Sequence, residues 1–166
     1  MTEHHLTLLF DDFEARLVLG GEHSLYDLAE FLIRTLGFDF DHAFEFCANL
    51  RNPYRSKEKY TLFADLGQGD DPGVKKTKVS AVFRPRRKMV FRFDYGDDWM
   101  FLVHCTAVKE SAAKRKFKKV IEIKGTPPVQ YPDNDEEGEW MSDSQLRNSS
   151  AAGPAESDPI QPDRTK

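Results

Sequence analysis

The sequence predicts an α+β fold, an antiparallel sheet made of an N-terminal hairpin and a C-terminal meander and packed on one main helix. Three observations predict it. Residues 89–105 alternate between two faces on either side of a Gly-Asp turn, which is the pattern of a β-hairpin. Residues 24–36 carry apolar side chains at helical spacing behind a serine suited to capping. The first twenty residues alternate twice around Asp11-Asp12, as a second hairpin would.

In chain order, Leu6, Leu8 and Phe10 form one alternating run and Ala15, Leu17 and Leu19 the next, with Gly20-Gly21 ending it. Ser24 can accept a backbone amide through its hydroxyl, and Asp27 three residues on completes a capping box. Leu25, Leu28, Leu32 and Leu36, with Phe31 beside them, make one apolar stripe, and Gly37 supplies the left-handed C-cap. Residues 43–46 read as a short strand. Residues 52–73, with Pro53, Gly67, Gly69, Pro72 and Gly73, read as a long loop with at most a turn of helix. Residues 78–83 suit a strand or a short helix, because Val79, Ala81 and Phe83 fit either. In the central hairpin Met89, Phe91, Phe93 and Tyr95 share one face and Val90, Arg92 and Asp94 the other; Trp99, Phe101, Val103 and Cys105 resume the alternation. After a solvated loop at 109–116, Phe117, Lys119, Ile121 and Ile123 predict a third strand of the same meander. From Pro132 onward Ser, Asp, Glu, Pro and Gly dominate. The domain is therefore placed at 1–132 and a disordered acidic tail at 133–166, with Trp140-Met141 its one apolar point.

The chain has 166 residues, the size of one domain, and its 39% hydrophobic content is enough for a core. It holds no apolar run near the roughly 18 residues of a membrane span, and residues 1–20 lack a basic start followed by an apolar stretch, so no secretory leader is expected. Cytoplasm is the expected location, with no membrane partner. Cys47 and Cys105 lie far apart, outside any CxxC pair, and read as free thiols. Charge is segregated: residues 1–74 hold 6 basic and 14 acidic side chains, residues 75–124 hold 15 and 5, and residues 125–166 hold 3 and 9. A basic block between two acidic ones calls for a partner or an internal balance.

Phe93-Asp94-Tyr95-Gly96-Asp97-Asp98-Trp99 resembles the aromatic-Asp-aromatic-Gly-Asp-Asp-Trp signature of the plasmid Orf-three-like family, named after a reading frame on an Ri (pRiA-type) plasmid. The layout around it is similar too. Leu25-Tyr26-Asp27-Leu28 opens the helix, Gly37-Phe38-Asp39 follows it, and His42, Phe44 and Phe46 lead into the next strand. The resemblance covers roughly residues 4–132. It implies a compact α+β domain whose members have no established biochemical activity and are associated with plasmids and transposable elements, some as passenger genes. Members commonly carry a His two residues after the Trp, where this chain has Phe101; the nearest His is His104, on the other face of the strand. They also often end in an acidic, glycine-rich segment after a Pro pair. Here Pro127-Pro128 is kept and the acidic and glycine positions are not.

Three functional readings follow. The first is a non-enzymatic binding module that contacts nucleic acid through the basic block. Arg84, Arg86, Arg87, Lys88 and Arg92 enter the hairpin, and Lys114, Arg115, Lys116, Lys118 and Lys119 lie beyond its second strand, so a meander would bring both clusters to one end of the sheet. The second is a protein–protein interaction domain that docks through a sheet edge or the tail, which could also fold back on the basic edge. The third is a metal-dependent enzyme using Asp94, Asp97 and Asp98. The bland reading of that cluster is a turn whose carboxylates bond their own backbone, and the bland reading of Tyr95 and Trp99 is core packing. The five histidines (His4, His5, His23, His42 and His104) have no metal-ligand spacing, and His104 faces away from Cys105. The run Asp133-Asn134-Asp135-Glu136-Glu137-Gly138 resembles a calcium loop only faintly, since its twelfth position is Ser144. No metal and no cofactor are expected, and the balance favours a role without catalysis. Oligomeric state is left open.

Overall fold

The computed structural model describes residues 1–132 and gathers Met1–Gln130 into one compact unit. The predicted tail, its calcium-loop resemblance and Trp140-Met141 lie outside the described residues. One seven-stranded antiparallel sheet dominates: β1 Thr2–Phe10, β2 Phe13–Gly20, β3 Phe44–Cys47, β4 Lys59–Thr61, β5 Lys88–Phe93, β6 Trp99–Glu110 and β7 Lys118–Lys124. The strand order is β4-β3-β5-β6-β1-β2-β7, so the long β6 is the middle strand. One long helix, α1 Leu25–Leu36, and two single turns, α2 Leu62–Asp65 and α3 Val79–Val82, complete the fold.

α1 forms as its caps and stripe predict. The Ser24 hydroxyl accepts from the Asp27 amide, the Asp27 carboxylate accepts from the Ser24 amide, both at 3.0 Å, and Gly37 ends the helix at φ 75°. Its stripe of Leu25, Leu28, Leu32 and Leu36 is fully removed from water. Period-two alternation supplies the other half of the core. Leu6 and Leu8 of β1, Leu17 and Leu19 of β2, and Phe91, Phe93, Phe101 and Val103 of the central hairpin are all buried. The hairpin itself closes as predicted, with Phe93 opposite Trp99 and Phe91 opposite Phe101.

Two details depart from the sequence reading and a third decides between its alternatives. The strand at 118–124 does not extend the meander: β7 pairs with β2, placing Leu17 opposite Val120 and Leu19 opposite Lys118. The segment after β6 crosses the ends of β1 and β2, where Ser111 N donates to the Met1 carbonyl at 2.8 Å and Gly20 N donates to the Phe117 carbonyl at 3.0 Å. The buried His23 adds a bond from Nε2 to the same Phe117 carbonyl at 3.1 Å. The β1–β2 hairpin is thus wedged between β6 and β7. Second, residues 52–73 are more than a loop, since they hold a 3-10 turn at Pro53–Arg55, strand β4 and helix α2. These elements are too short for a periodic signal. Third, the ambiguous 78–83 stretch is helical at α3, burying Val79 and Val82.

The two sheet edges are treated differently. β4 has three residues, and its Thr61 amide donates to the Pro72 carbonyl at 3.1 Å beside a Thr61–Gly73 bridge. β7 has seven residues and pairs only with β2 among the described residues.

Gly125 follows β7 at φ 73°, where an added Cβ would meet the Asp12 backbone carbonyl. Gly125→Ala is expected to lower the melting temperature well beyond Gly67→Ala. At Gly67 (φ 78°) the surrounding space is open and the left-handed backbone alone costs about 1 kcal/mol. Calorimetry that gives equal melting temperatures would contradict this close approach.

Candidate functional site

The signature turn spends its carboxylates on structure. Asp94 leaves β5 in the left-handed region (φ 56°), a conformation that Asp tolerates better than most side chains. Its Oδ1 accepts from Gly96 N at 3.0 Å and Asp97 N at 3.4 Å, and its own carbonyl accepts from Asp98 N at 2.6 Å. The Asp94 amide donates to the Ala43 carbonyl at 3.0 Å, which ties the turn to the start of β3. His42 leans on the same group, with Nε2 3.5 Å from Asp94 Oδ2 and Nδ1 2.6 Å from Asp41. The hydrogen bond that His42 donates to Asp41 raises the His42 pKa, against desolvation and with help from the Asp94 charge.

Asp98 does something the sequence did not announce. Its carboxylate accepts from Arg92 Nε and from the Tyr54 hydroxyl. Arg92 Nη1 also donates to the buried Glu45 at 3.2 Å. The guanidinium lies between two rings, 4.7 Å from the Tyr54 centroid and 4.3 Å from the Tyr95 centroid. Desolvation opposes ionisation of Asp98, but the bonds from Tyr54 and Arg92 and the Arg92 charge outweigh it, holding the carboxyl below the usual range. Tyr95 therefore does not share the Phe91 and Phe93 face. The left-handed Asp94 reverses the alternation and lays Tyr95 over Arg92, against Phe63 at 5.5 Å. Burial, followed by the Glu45 charge, pushes its phenol pKa up. Trp99 does join the core side, packing against Phe10, Phe38 and Phe101. Asp97 is exposed. Asp94 and Asp98 each have partners of their own, and among the described residues no three His, Cys, Asp or Glu side chains are grouped to hold a metal ion. Both thiols are free and buried; burial pushes Cys47 up to about 12 and Cys105 to about 11, far from a reactive thiolate.

The basic block is divided by the topology. Arg84, Arg86 and Arg87 precede β5 and Lys88 opens it, while Lys114, Arg115 and Lys116 precede β7, with β6, β1 and β2 lying between those two strands. They lie four strands apart instead of meeting at one corner. Some of the cations are engaged: Arg87 pairs with Glu58 at 2.6 Å, Arg92 with Glu45 and Asp98, and Lys118 with Glu30 at 3.7 Å. Arg84, Arg86, Lys88, Lys114, Arg115, Lys116 and Lys119 are exposed and make no ion pair within 4.0 Å among the described residues.

Between the flanks lies the sheet face opposite α1. Alternation puts Lys88, His104, Thr7 and Arg16 in one row across β5, β6, β1 and β2, where register makes each the neighbour of the next. Lys119, opposite Val18, stands on the same face in β7. A groove of about 530 Å³ opens there, lined among others by His5, Thr7, Arg16, Val18, His104 and Ile121. Arg16 is pinned at its far side by Glu122 at 3.1 Å. Sequence reasoning missed this face. Its residues come from five strands, and only the strand order, which crosses over at β7, brings them together.

A family described as plasmid pRiA4b ORF-3-like protein matches residues 11–144. Comparison with curated proteins finds no match. Among solved structures, the chain is similar to the crystal structure of a protein of unknown function, MM3350, from Methanosarcina mazei Go1. The TM-score is 0.54 and the identity 18%, over 71% of this chain and 68% of that one, a likeness of fold.

The Arg92 clamp generates a pH-resolved prediction. Asp98→Asn keeps a side chain that tolerates φ 58° and removes the charge, so about 2 kcal/mol of stability should be lost at pH 7. A carboxyl held low in the folded state stabilises above its unfolded value, near 4, and loses that contribution as pH falls through the folded value. The gap between wild type and variant in urea titrations is therefore expected to be full at pH 7 and to close towards pH 3. A gap independent of pH would remove Asp98 ionisation from the clamp.

Proposed function

The chain belongs to the plasmid pRiA4b ORF-3-like family, and on that premise we propose that it is a non-enzymatic binding module for nucleic acid. One observation carries the reading: among the described residues, seven exposed cations free of ion pairs stand at both margins of a sheet face that no helix covers, and two of them, Lys88 and Lys119, lie on it. The margins, β5 and β7, are four inter-strand spacings apart, about 19 Å at ~4.8 Å each. That distance spans roughly five or six nucleotides of one B-form strand at ~3.4 Å each. Phosphates would meet Arg84, Arg86 and Lys88 at one margin and Lys114, Arg115, Lys116 and Lys119 at the other. The grooved face between them supplies imidazole groups from His5 and His104. The engaged Asp94 and Asp98 support a role without catalysis. The plasmid and mobile-element setting implied by the sequence resemblance is consistent with a nucleic-acid partner.

Fluorescence anisotropy with labelled single-stranded and duplex DNA and RNA at 50 and 200 mM salt tests this. If about four of the seven cations neutralise phosphates, affinity should fall on the order of 100-fold across that range. Reversing Arg84, Arg86 and Lys88 to Glu, or Lys114, Arg115 and Lys116 to Glu, should each weaken binding and flatten the salt slope. Absence of salt-sensitive binding to all four probes overturns the proposal.

A further inference from the structure

We propose that β7 is a docking edge for an extended acidic partner segment, which joins the sheet as an eighth strand. A terminal strand presents a row of backbone donors and acceptors, and proteins normally shorten, cover or charge such an edge. This fold covers its other edge, where β4 is three residues long and Thr61 is bonded to Pro72. β7 runs for seven residues with no outer partner among the described residues. Its apolar side chains are open as well: Val120 is 38% exposed, Ile121 53% and Ile123 49%. Free backbone edge plus exposed apolar side chains is the surface that strand addition uses.

Charge selects the occupant. Lys118, Lys119 and Lys124 lie on the strand, and Lys114, Arg115 and Lys116 lead into it. Its lone acid, Glu122, is held by Arg16 at 3.1 Å and Lys124 at 3.6 Å. Two copies paired antiparallel about Ile121 would set Lys118 against Lys124, and like charges directly opposite are destabilising. A strand that alternates acidic with apolar residues sets its acids on the face of Lys119 and Lys124 and its apolar side chains over Val120 and Ile123. The bulge in the β2–β7 ladder, between Val120 and Glu122, turns Ile121 into the wall of the outer groove, which leaves room for side chains of the added strand. This surface uses the β7 backbone and is independent of the Arg84–Lys88 margin that nucleic-acid binding requires.

The test titrates the full chain with a labelled seven-residue peptide that alternates glutamate with valine. Two controls accompany it: the same peptide with a central proline, and one with lysine in place of glutamate. The acidic peptide is expected to saturate, and to slow amide exchange at least tenfold at 118–124 while leaving β4 unchanged. Both controls should bind at least tenfold more weakly. Lys119→Glu should weaken the acidic peptide, whereas Arg84→Glu should not. Equal affinity for the proline peptide, or unchanged exchange in β7, overturns strand addition and leaves only charge attraction. DNA binding without peptide binding sinks this inference alone, and the reverse result sinks the nucleic-acid reading alone.

Discussion

A seven-stranded sheet has more face than a single twelve-residue helix can cover, and the rest of the structure answers to that mismatch. Seven strands at ~4.8 Å span about 29 Å, whereas α1 is about 18 Å long and ~10 Å across. The uncovered part of the inner face is filled by phenylalanine. Phe38, Phe40 and Phe44 reach from the chain after α1 to the rings of Phe93, Trp99 and Phe101 in a run of tilted and stacked contacts. On the outer face the sequence covers only the β3–β5 side, with Tyr54 and Tyr95 closing over Arg92 and Glu45. The groove lies on the β6-β1-β2-β7 side, with the buried Thr7 and Val18 in its lining.

The signature residues make sense within this scheme. A five-residue turn must reverse the chain between two core strands and hold an arginine on the solvent face at the same time. Asp94 makes the reversal by accepting its own backbone amides. Asp98 and Tyr95 face the arginine from two sides, and Trp99 returns the chain to the aromatic layer. Phe101, two residues after Trp99, is fully buried beside Trp99 and Phe91. An imidazole there would sit among rings and away from any open surface.

How legible each part was follows from the range of the forces behind it. α1 and the two hairpins are written in local spacing and in caps that act over three or four residues, so they could be read directly. The partner of β7 could not be. Neighbouring strands usually pair with each other, and the alternative rests on Ser111, Gly20 and His23 holding the crossing segment, none of which has a periodic signal. The clamp on Arg92 was hidden for the same reason, because Tyr54 and Glu45 come from a polar turn and a four-residue strand. The basic residues were visible in the sequence, but their division between two margins is a property of strand order alone.

That strand order also sets a schedule for the chain. β1 pairs on one side with its sequence neighbour β2, but on the other with β6, so that Thr2 meets Glu110. A nascent chain emerging from the ribosome would hold a complete β1–β2 hairpin with both flanks open and Leu6, Leu8, Leu17 and Leu19 unburied until about a hundred further residues had been made. Contacts so distant in sequence make folding slow and leave apolar strands unprotected in the meantime. The charge follows the same order: the first 74 residues carry 6 basic and 14 acidic side chains, and the basic residues that balance them arrive with β5, β6 and β7.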